Sequence, residues 1–208
     1  MTHDLLTIGA GAAGEYAAGL VAEAAGRVAV VERSLVGGQC AFWACMPSKT
    51  LLDAAGRRAL GDDYPWERAS ARRDWMISRE EIDVPDDSSH ARALEEQGAE
   101  VIRGEARVTG PGTVEVRTED GTRSLEGRSL LIAAGSVPVI PEIEGAEEAG
   151  YWTSNEATST RDLPSSLVIL GSGVVGVELA QAFARFGTKV TLVEIHDRIL
   201  AKDHPRSS

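Results

Sequence analysis

Two thiols, Cys40 and Cys45, stand in the stretch GGQCAFWACMPSKTLL, and they are the whole cysteine complement of the 208-residue chain. Three chemistries suit so close a pair: metal ligation, a structural staple and reversible oxidation. Structural zinc usually takes four nitrogen or sulfur ligands, and no histidine lies between residues 4 and 89 to complete such a set. A permanent staple belongs in an oxidising compartment. The N-terminus MTHDLLTIGAG lacks the basic start and apolar segment of a secretory signal, so the expected setting is the cytoplasm. There, a close pair points to redox use. Five residues of regular helix would separate the two positions by about 7.5 Å along the axis, whereas a disulfide needs Cα atoms within about 7 Å. If the thiols bridge, Cys40 is therefore expected in an irregular turn reached through Gly37 and Gly38, with regular helix starting nearer Cys45. A helix start at Cys45 lowers the pKa of its thiol and favours the reactive thiolate.

A second chemistry is written twice. LLTIGAGAAGEYAAGLVAEAAGRVAVVE places Gly9, Gly11 and Gly14 between an apolar strand and an Ala-rich helix, with Glu32 ending the next strand. SLVILGSGVVGVELAQAFARFGTKVTLVE does the same with Gly171, Gly173, Gly176 and Glu194, each displaced by 162 residues from its counterpart. The strand-turn-helix context turns a weak G-x-G-x-x-G signal into a dinucleotide-binding prediction. The first Gly makes the turn, the second admits a pyrophosphate and the third lets helix and strand pack closely. Free N–H groups and the positive helix end face the phosphates, and the Glu is expected to accept from a ribose hydroxyl. The competing reading of either copy is a plain β-α-β turn.

The elements that must position these residues are read more coarsely. Helix is expected from Cys40 to about Leu60, with Leu51, Leu52 and Ala55 at helical spacing. Residues 61–87, with GDD and DVPDD, read as a charged surface excursion. A short helix is expected from Ser89 to Gln97, ended by Gly98. AEVIRGEARVTG, TVEVRT and TRSLEG read as strands with a hairpin at Asp120-Gly121, and SLLIAAGSVPVIP as a buried strand running into a turn. TSNEATSTRDLPSS reads as a linker. The expected fold class is α/β, with a three-layer, dinucleotide-binding Rossmann-like domain over 1–154 and a second Rossmann-like unit over 155–208. Trp66, Trp75 and Trp152 are expected in cores, and His3, His90, His196 and His204 on surfaces.

Composition bounds the partners. A hydrophobic fraction of 43% and a charged fraction of 25% exclude disordered and fibrous classes. A net charge of −11 argues against nucleic acid, and no apolar run of 18 residues argues for a membrane.

GAGAAG with Glu32, GGQCAFWACMPSK, LLIAAGSVP and LGSGVVGVE with Glu194, in that order, resemble the N-terminal part of the pyridine nucleotide–disulfide oxidoreductases. This is the flavoenzyme family of dihydrolipoamide dehydrogenase, glutathione reductase and mercuric reductase. The resemblance implies an FAD-binding domain over 1–154 and an NAD(P)-binding domain over 155–208, which it leaves incomplete. The resemblance implies that Gly9, Gly11, Gly14, Glu32 and Gly38 hold FAD, with Gly135 and Ser136 nearby where the chain crosses to the next domain. It implies that Cys40 is the interchange thiol and Cys45 the thiol beside the flavin, forming a charge-transfer complex. Lys49 would stabilise negative charge on the reduced flavin with Glu178 as its ion-pair partner. Solvated surface positions are the competing readings of both. Gly171, Gly173, Gly176 and Glu194 would hold NAD, which Glu194 favours by repelling a 2′-phosphate, whereas nearby Arg198 leaves NADP open.

The implied substrate is a small-molecule or protein-bound disulfide or thiol, or a metal ion, and the implied full-length form is a homodimer. None of the four histidines matches the base of the family, which lies in a C-terminal half. The resemblance implies that the sequence stops within the nicotinamide domain, so turnover by these residues alone is expected to be severely impaired. Phe42 and Trp43 between the thiols, Gln39, Met46 and Ala134 depart from the pattern of the family and leave the substrate undefined. A flavin-dependent quinone or oxygen reductase and a non-catalytic FAD-binding fragment are the alternative functions.

Overall fold

The computed structural model describes residues 1–80 and 83–207. In chain order the elements are β1 (His3–Ile8), α1 (Ala12–Glu23), β2 (Val28–Glu32), α2 (Gly38–Phe42), α3 (Cys45–Ala59) and α4 (Trp66–Met76). There follow α5 (Ser88–Glu96), β3 (Ala99–Arg103), β4 (Glu105–Gly110), β5 (Thr113–Thr118) and β6 (Gly121–Ile132). The last are α6 (Ala146–Ala149), α7 (Ser154–Ser159), β7 (Ser166–Leu170), α8 (Val174–Phe186) and β8 (Lys189–Val193). The fold class is α/β, as expected. By packing, the chain divides into two compact units, 1–42 with 84–137 and 43–83 with 138–208.

The first unit has a sheet of order β3-β2-β1-β6-β5-β4, parallel from β3 to β6 and antiparallel from β6 to β4. All five residues of β2 are buried because both its faces are covered. Val28 and Val30 meet Ala18 and Ala22 of α1 and Leu94 of α5. Ala29 and Val31 face the other way, onto Val114, Val116 and Leu125 of the antiparallel strands. Helices, parallel strands and an antiparallel layer make three layers.

The segments read separately as TRSLEG and SLLI are one strand. β6 pairs with β5 through Glu126 and with β1 from Gly127 onward. At Gly127 an added Cβ would lie 2.6 Å from Leu6 Cγ, so a larger residue there would force Leu6 to move where the strand exchanges partners. AEVIRGEARVTG, conversely, breaks into β3 and β4 at Gly104, where a Cβ would lie 2.5 Å from the Arg117 carbonyl oxygen. The end of β6 is not buried as expected: Ile132 is 66% exposed.

In the second unit β7 and β8 are parallel and joined through α8, a single β-α-β unit. Leu179, Ala182, Phe183 and Phe186 follow helical spacing on one face of α8 and meet Leu51, Ala54 and Ala55 of α3 and Trp66 and Ala69 of α4. The excursion expected over 61–87 thus contains a packed helix, with its residues 81 and 82 outside the described residues. The charge of α4 hid that face: Arg73 is fully buried beside Asp74, which it meets at 2.7 Å, and Asp74 also binds Arg79 and Arg161. The segment read as a linker carries α7, capped by Thr153 and Glu156, with Ala157 and Thr158 buried. By packing, α3 and α4 fall in one unit with α8, because they bury their apolar faces against it. Trp66 lies in the core, but Trp75 and Trp152 are 59% and 43% exposed. His3 is buried, because it starts a central strand and its ring meets the Glu126 carbonyl and the Glu100 carboxylate.

Candidate active site

Cys40 and Cys45 are joined in a disulfide. The helix expected across them is interrupted. Cys40 sits in the short α2 and not in an irregular turn, and the irregularity falls at Trp43-Ala44, where Ala44 has φ −123° and ψ −89°. That break spares the pair the axial separation of continuous helix. Cys45 is the first residue of the 15-residue α3, within the positive end of its dipole, and no side chain caps this end. Pro47 is tolerated because its missing N–H falls in the first turn. Two side chains brace the break. Thr158 Oγ1 donates to the Trp43 carbonyl at 2.8 Å, and Ser48 Oγ donates to the Cys45 carbonyl at 3.4 Å. Cys45 is exposed and Cys40 half-buried.

The first glycine turn is built by close approach. Gly9 has φ +96°, a conformation that favours glycine, and a Cβ there would lie 2.2 Å from the Ala133 carbonyl oxygen. A Cβ on Gly14 would lie 1.9 Å from the Gly9 oxygen, and one on Gly38 2.7 Å from Gly11 Cα. Gly37 N–H donates to the Ala10 carbonyl at 2.7 Å, drawing the chain before Cys40 onto the turn. Asp87 supports that strap by accepting from Val36 N–H at 2.6 Å and pairing with Arg103. Burial raises the Asp87 pKa, but the bonds from Arg103 and Val36 outweigh it and hold the carboxyl below its usual range. Glu32 accepts from Ala10 N–H and Ser34 N–H, both at 2.7 Å.

The second turn repeats this geometry. Gly171 has φ +95°, and its N–H donates to Val193 as that of Gly9 does to Val31, both at 2.8 Å. A Cβ on Gly176 would lie 2.1 Å from the Gly171 oxygen. Gly173 precedes α8 as Gly11 precedes α1, both extended and neither with a side-chain cap. Glu194 accepts from Ser172 N–H at 2.8 Å, from the Ser172 hydroxyl, and from Ile195 and His196 N–H at 2.7 and 3.0 Å. Arg198 donates to the carbonyls of Leu200, Ala201 and Asp203, so its guanidinium serves the following turn.

Lys49, on the exposed side of α3, donates to both carboxylate oxygens of Glu178 on α8 at 2.6 Å. The Lys49 side chain is 59% exposed, so the pair adds at most about 1 kcal/mol to stability. It fixes where the ammonium stands.

The first turn has the groups to hold the adenosine end of a dinucleotide such as FAD. A cleft of about 180 Å³ opens beside it, lined by Gly9, Glu32, Arg33, Gly104, Ala106 and Ala134. Glu32 retains acceptor capacity there, since a carboxylate offers about four acceptor positions and two are used. The uncapped start of α1 leaves N–H groups for phosphate. Ala133 and Ala134 lie against Gly9, while Gly135, with φ +74°, and Ser136 follow and are exposed.

The structure thus brings together Gly9, Gly11, Gly14, Glu32 and Gly38 at one turn, Gly171, Gly173, Gly176 and Glu194 at another, and Lys49 with Glu178. Sequence reasoning missed Thr158 and Asp87, which carry no motif, and Ser48 and Ser172, which stand inside motifs but were given no role there. Ser172 alone had a signal, as the one polar residue inside either G-x-G. Among the described residues no group of three or more His, Cys, Asp or Glu could hold a metal, and no helix is long and apolar enough to cross a membrane.

The family model described as pyridine nucleotide-disulphide oxidoreductase matches residues 3–207. A mercuric reductase of Staphylococcus aureus is 34% identical over 99% of this chain and 38% of its own length. A dihydrolipoyl dehydrogenase of Chlorobaculum parvum is 33% identical over 99% of this chain and 45% of its own. A Cu(II) complex of the HOCl-induced flavoprotein disulfide reductase RclA from Escherichia coli has a TM-score of 0.86 and 29% identity, covering 99% of this chain and 45% of that one. The chain therefore spans less than half the length of these relatives.

Proposed function

The chain belongs to the pyridine nucleotide-disulphide oxidoreductase family, and from that premise we propose that it is the electron-transfer part of an FAD-dependent, NAD(P)H-linked disulfide oxidoreductase. The observation that carries the reading is the Cys40–Cys45 disulfide, with Cys45 at the dipole end of α3. In the proposed reaction NAD(P)H gives two electrons and, with one proton from solvent, the disulfide opens to two thiols and NAD(P)⁺ is released. Bound FAD would supply the two-electron relay between them. The α3 dipole stabilises Cys45 as thiolate, leaving Cys40 to exchange with the acceptor. Lys49, held by Glu178, would offer positive charge to bound FAD. Gly9, Gly11, Gly14, Gly38 and Glu32 bind the ADP half, with Gly135 and Ser136 alongside. Gly171, Gly173 and Gly176 take the nicotinamide nucleotide, NAD in preference to NADP.

Residues 1–154 are the FAD-binding part on this reading and 155–208 the nicotinamide part. The substrate is a small-molecule or protein-bound disulfide or thiol, or a metal ion, classes to which the names of the mercuric reductase, the dihydrolipoyl dehydrogenase and the copper complex of RclA lend support. The complete molecule is proposed to act as a cytoplasmic homodimer.

The test is to titrate the purified chain with FAD while following flavin fluorescence, then add NADH without oxygen and count thiols with a thiol-reactive dye. Saturable binding and a single, slow reduction to two new thiols per chain are expected, in keeping with impaired turnover by these residues alone, and none in Cys45→Ser beyond the one it starts with. A chain that binds no FAD sinks the reading. One that binds FAD but frees no thiols is an FAD-binding fragment without disulfide turnover.

A further inference from the structure

The two glycine turns share their backbone bonds but differ at the middle residue, Ala10 in the first and Ser172 in the second. The consequence falls on the acid. About four acceptor positions are available on a carboxylate. Glu32 uses two, on the N–H groups of Ala10 and Ser34. Glu194 uses four: Oε2 accepts the Ser172 N–H and hydroxyl, and Oε1 accepts the N–H groups of Ile195 and His196. Three of these donors are backbone and cannot leave without remaking the turn. The Ser172 hydroxyl turns about a single bond, and its residue is 1% exposed.

We propose that Ser172 is a specificity-determining residue of the second turn, its hydroxyl filling the acceptor position on Glu194 that a ribose 2′-hydroxyl would need. The inference rests on the reading that this turn takes a nicotinamide nucleotide. With Ser172 in place, a free 2′-hydroxyl gains no bond from Glu194 unless the serine swings away, and a 2′-phosphate meets the carboxylate charge as before. The preference for NAD over NADP is therefore blunted by the protein itself. The electrostatics agree with the geometry. The Ser172 hydroxyl first, then the N–H groups of His196, Ser172 and Ile195, hold the Glu194 carboxyl down at about 2.

Ser172→Ala empties one acceptor position on Glu194, leaving three backbone donors there where Glu32 has two. The experiment is to titrate the wild-type chain and S172A with NADH and with NADPH by nucleotide fluorescence, and to follow the Glu194 carboxyl by NMR through acid pH. The mutation is expected to tighten NADH about tenfold, the scale of one hydrogen bond to a charged acceptor, to leave NADPH unchanged, and to raise the Glu194 pKa. If both nucleotides bind and S172A moves neither, or moves both equally, the inference fails while the nicotinamide reading stands. An unmoved Glu194 pKa likewise overturns the inference. If neither nucleotide binds either protein, the nicotinamide reading falls and the inference with it.

Discussion

Thr158 lies 115 residues along the chain from Trp43, yet its hydroxyl holds the Trp43 carbonyl in the break that precedes Cys45. Thr158→Val keeps the shape and removes that donor. It should lower stability by about 1 kcal/mol, seen as a lower urea midpoint with unchanged slope, and Thr158→Ser should recover most of the loss. An unchanged midpoint for the valine variant would deny the hydroxyl its bracing role. Residues of this kind were illegible in the sequence because a lone threonine announces nothing until the fold brings a carbonyl to it. The glycines and their acids were legible because turn sterics and phosphate geometry restrict what can stand there. Lys49 and Glu178 lie between these cases: each alone reads as a surface charge, and they meet because α3 and α8 share a core.

Helices α1 and α8 both depend on one missing side chain. Gly14→Ala or Gly176→Ala would drive a methyl to about 2 Å from a backbone oxygen, and the turn must open. Each should cost about 1–3 kcal/mol. Gly14→Ala should also weaken FAD binding by more than tenfold in a fluorescence titration, and wild-type affinity would show that the close approach is dispensable. Helix α4 is held differently. Burial raises the Asp74 pKa, but the bonds and charges of Arg161, Arg73 and Arg79 prevail and the carboxyl titrates below its ordinary range. Its contribution is therefore complete above the usual carboxylate range and lost as pH falls below it. Asp74→Asn leaves the buried Arg73 facing Arg79 and Arg161. It should destabilise by about 3–5 kcal/mol at neutral pH and flatten the acid limb of a stability-against-pH profile measured by urea unfolding. A variant as acid-sensitive as the wild type would place the protonation elsewhere. This helix was missed because periodicity is sought in apolar residues, and here arginine and aspartate complete the inward face.

At the scale of the whole chain, a net charge of −11 opposes the approach of any anionic dinucleotide. Screening lengths shrink from about 30 Å at 10 mM salt to about 8 Å at 150 mM, so FAD affinity should rise about two- to threefold across that range. A fall with added salt would show that local positive potential at the turn governs binding instead. The α/β class and the two β-α-β repeats were readable from strand-glycine-helix order. The partition into two packing units was not, because it depends on which helix faces find each other across long stretches of sequence. Strand β6 has a further consequence. Since it is one unbroken ribbon from the hairpin at Gly121 to Ile132, an inserted or deleted residue between Arg123 and Leu131 is transmitted along it like a slipped tooth on a rack. The slip turns every later side chain to the opposite face and pulls Ala133 and Ala134 off Gly9, whereas an extra residue at the hairpin tip is taken up in the bend. Length changes in natural or engineered variants of this layer should therefore gather at the tip, leaving the body of the ribbon constant in length.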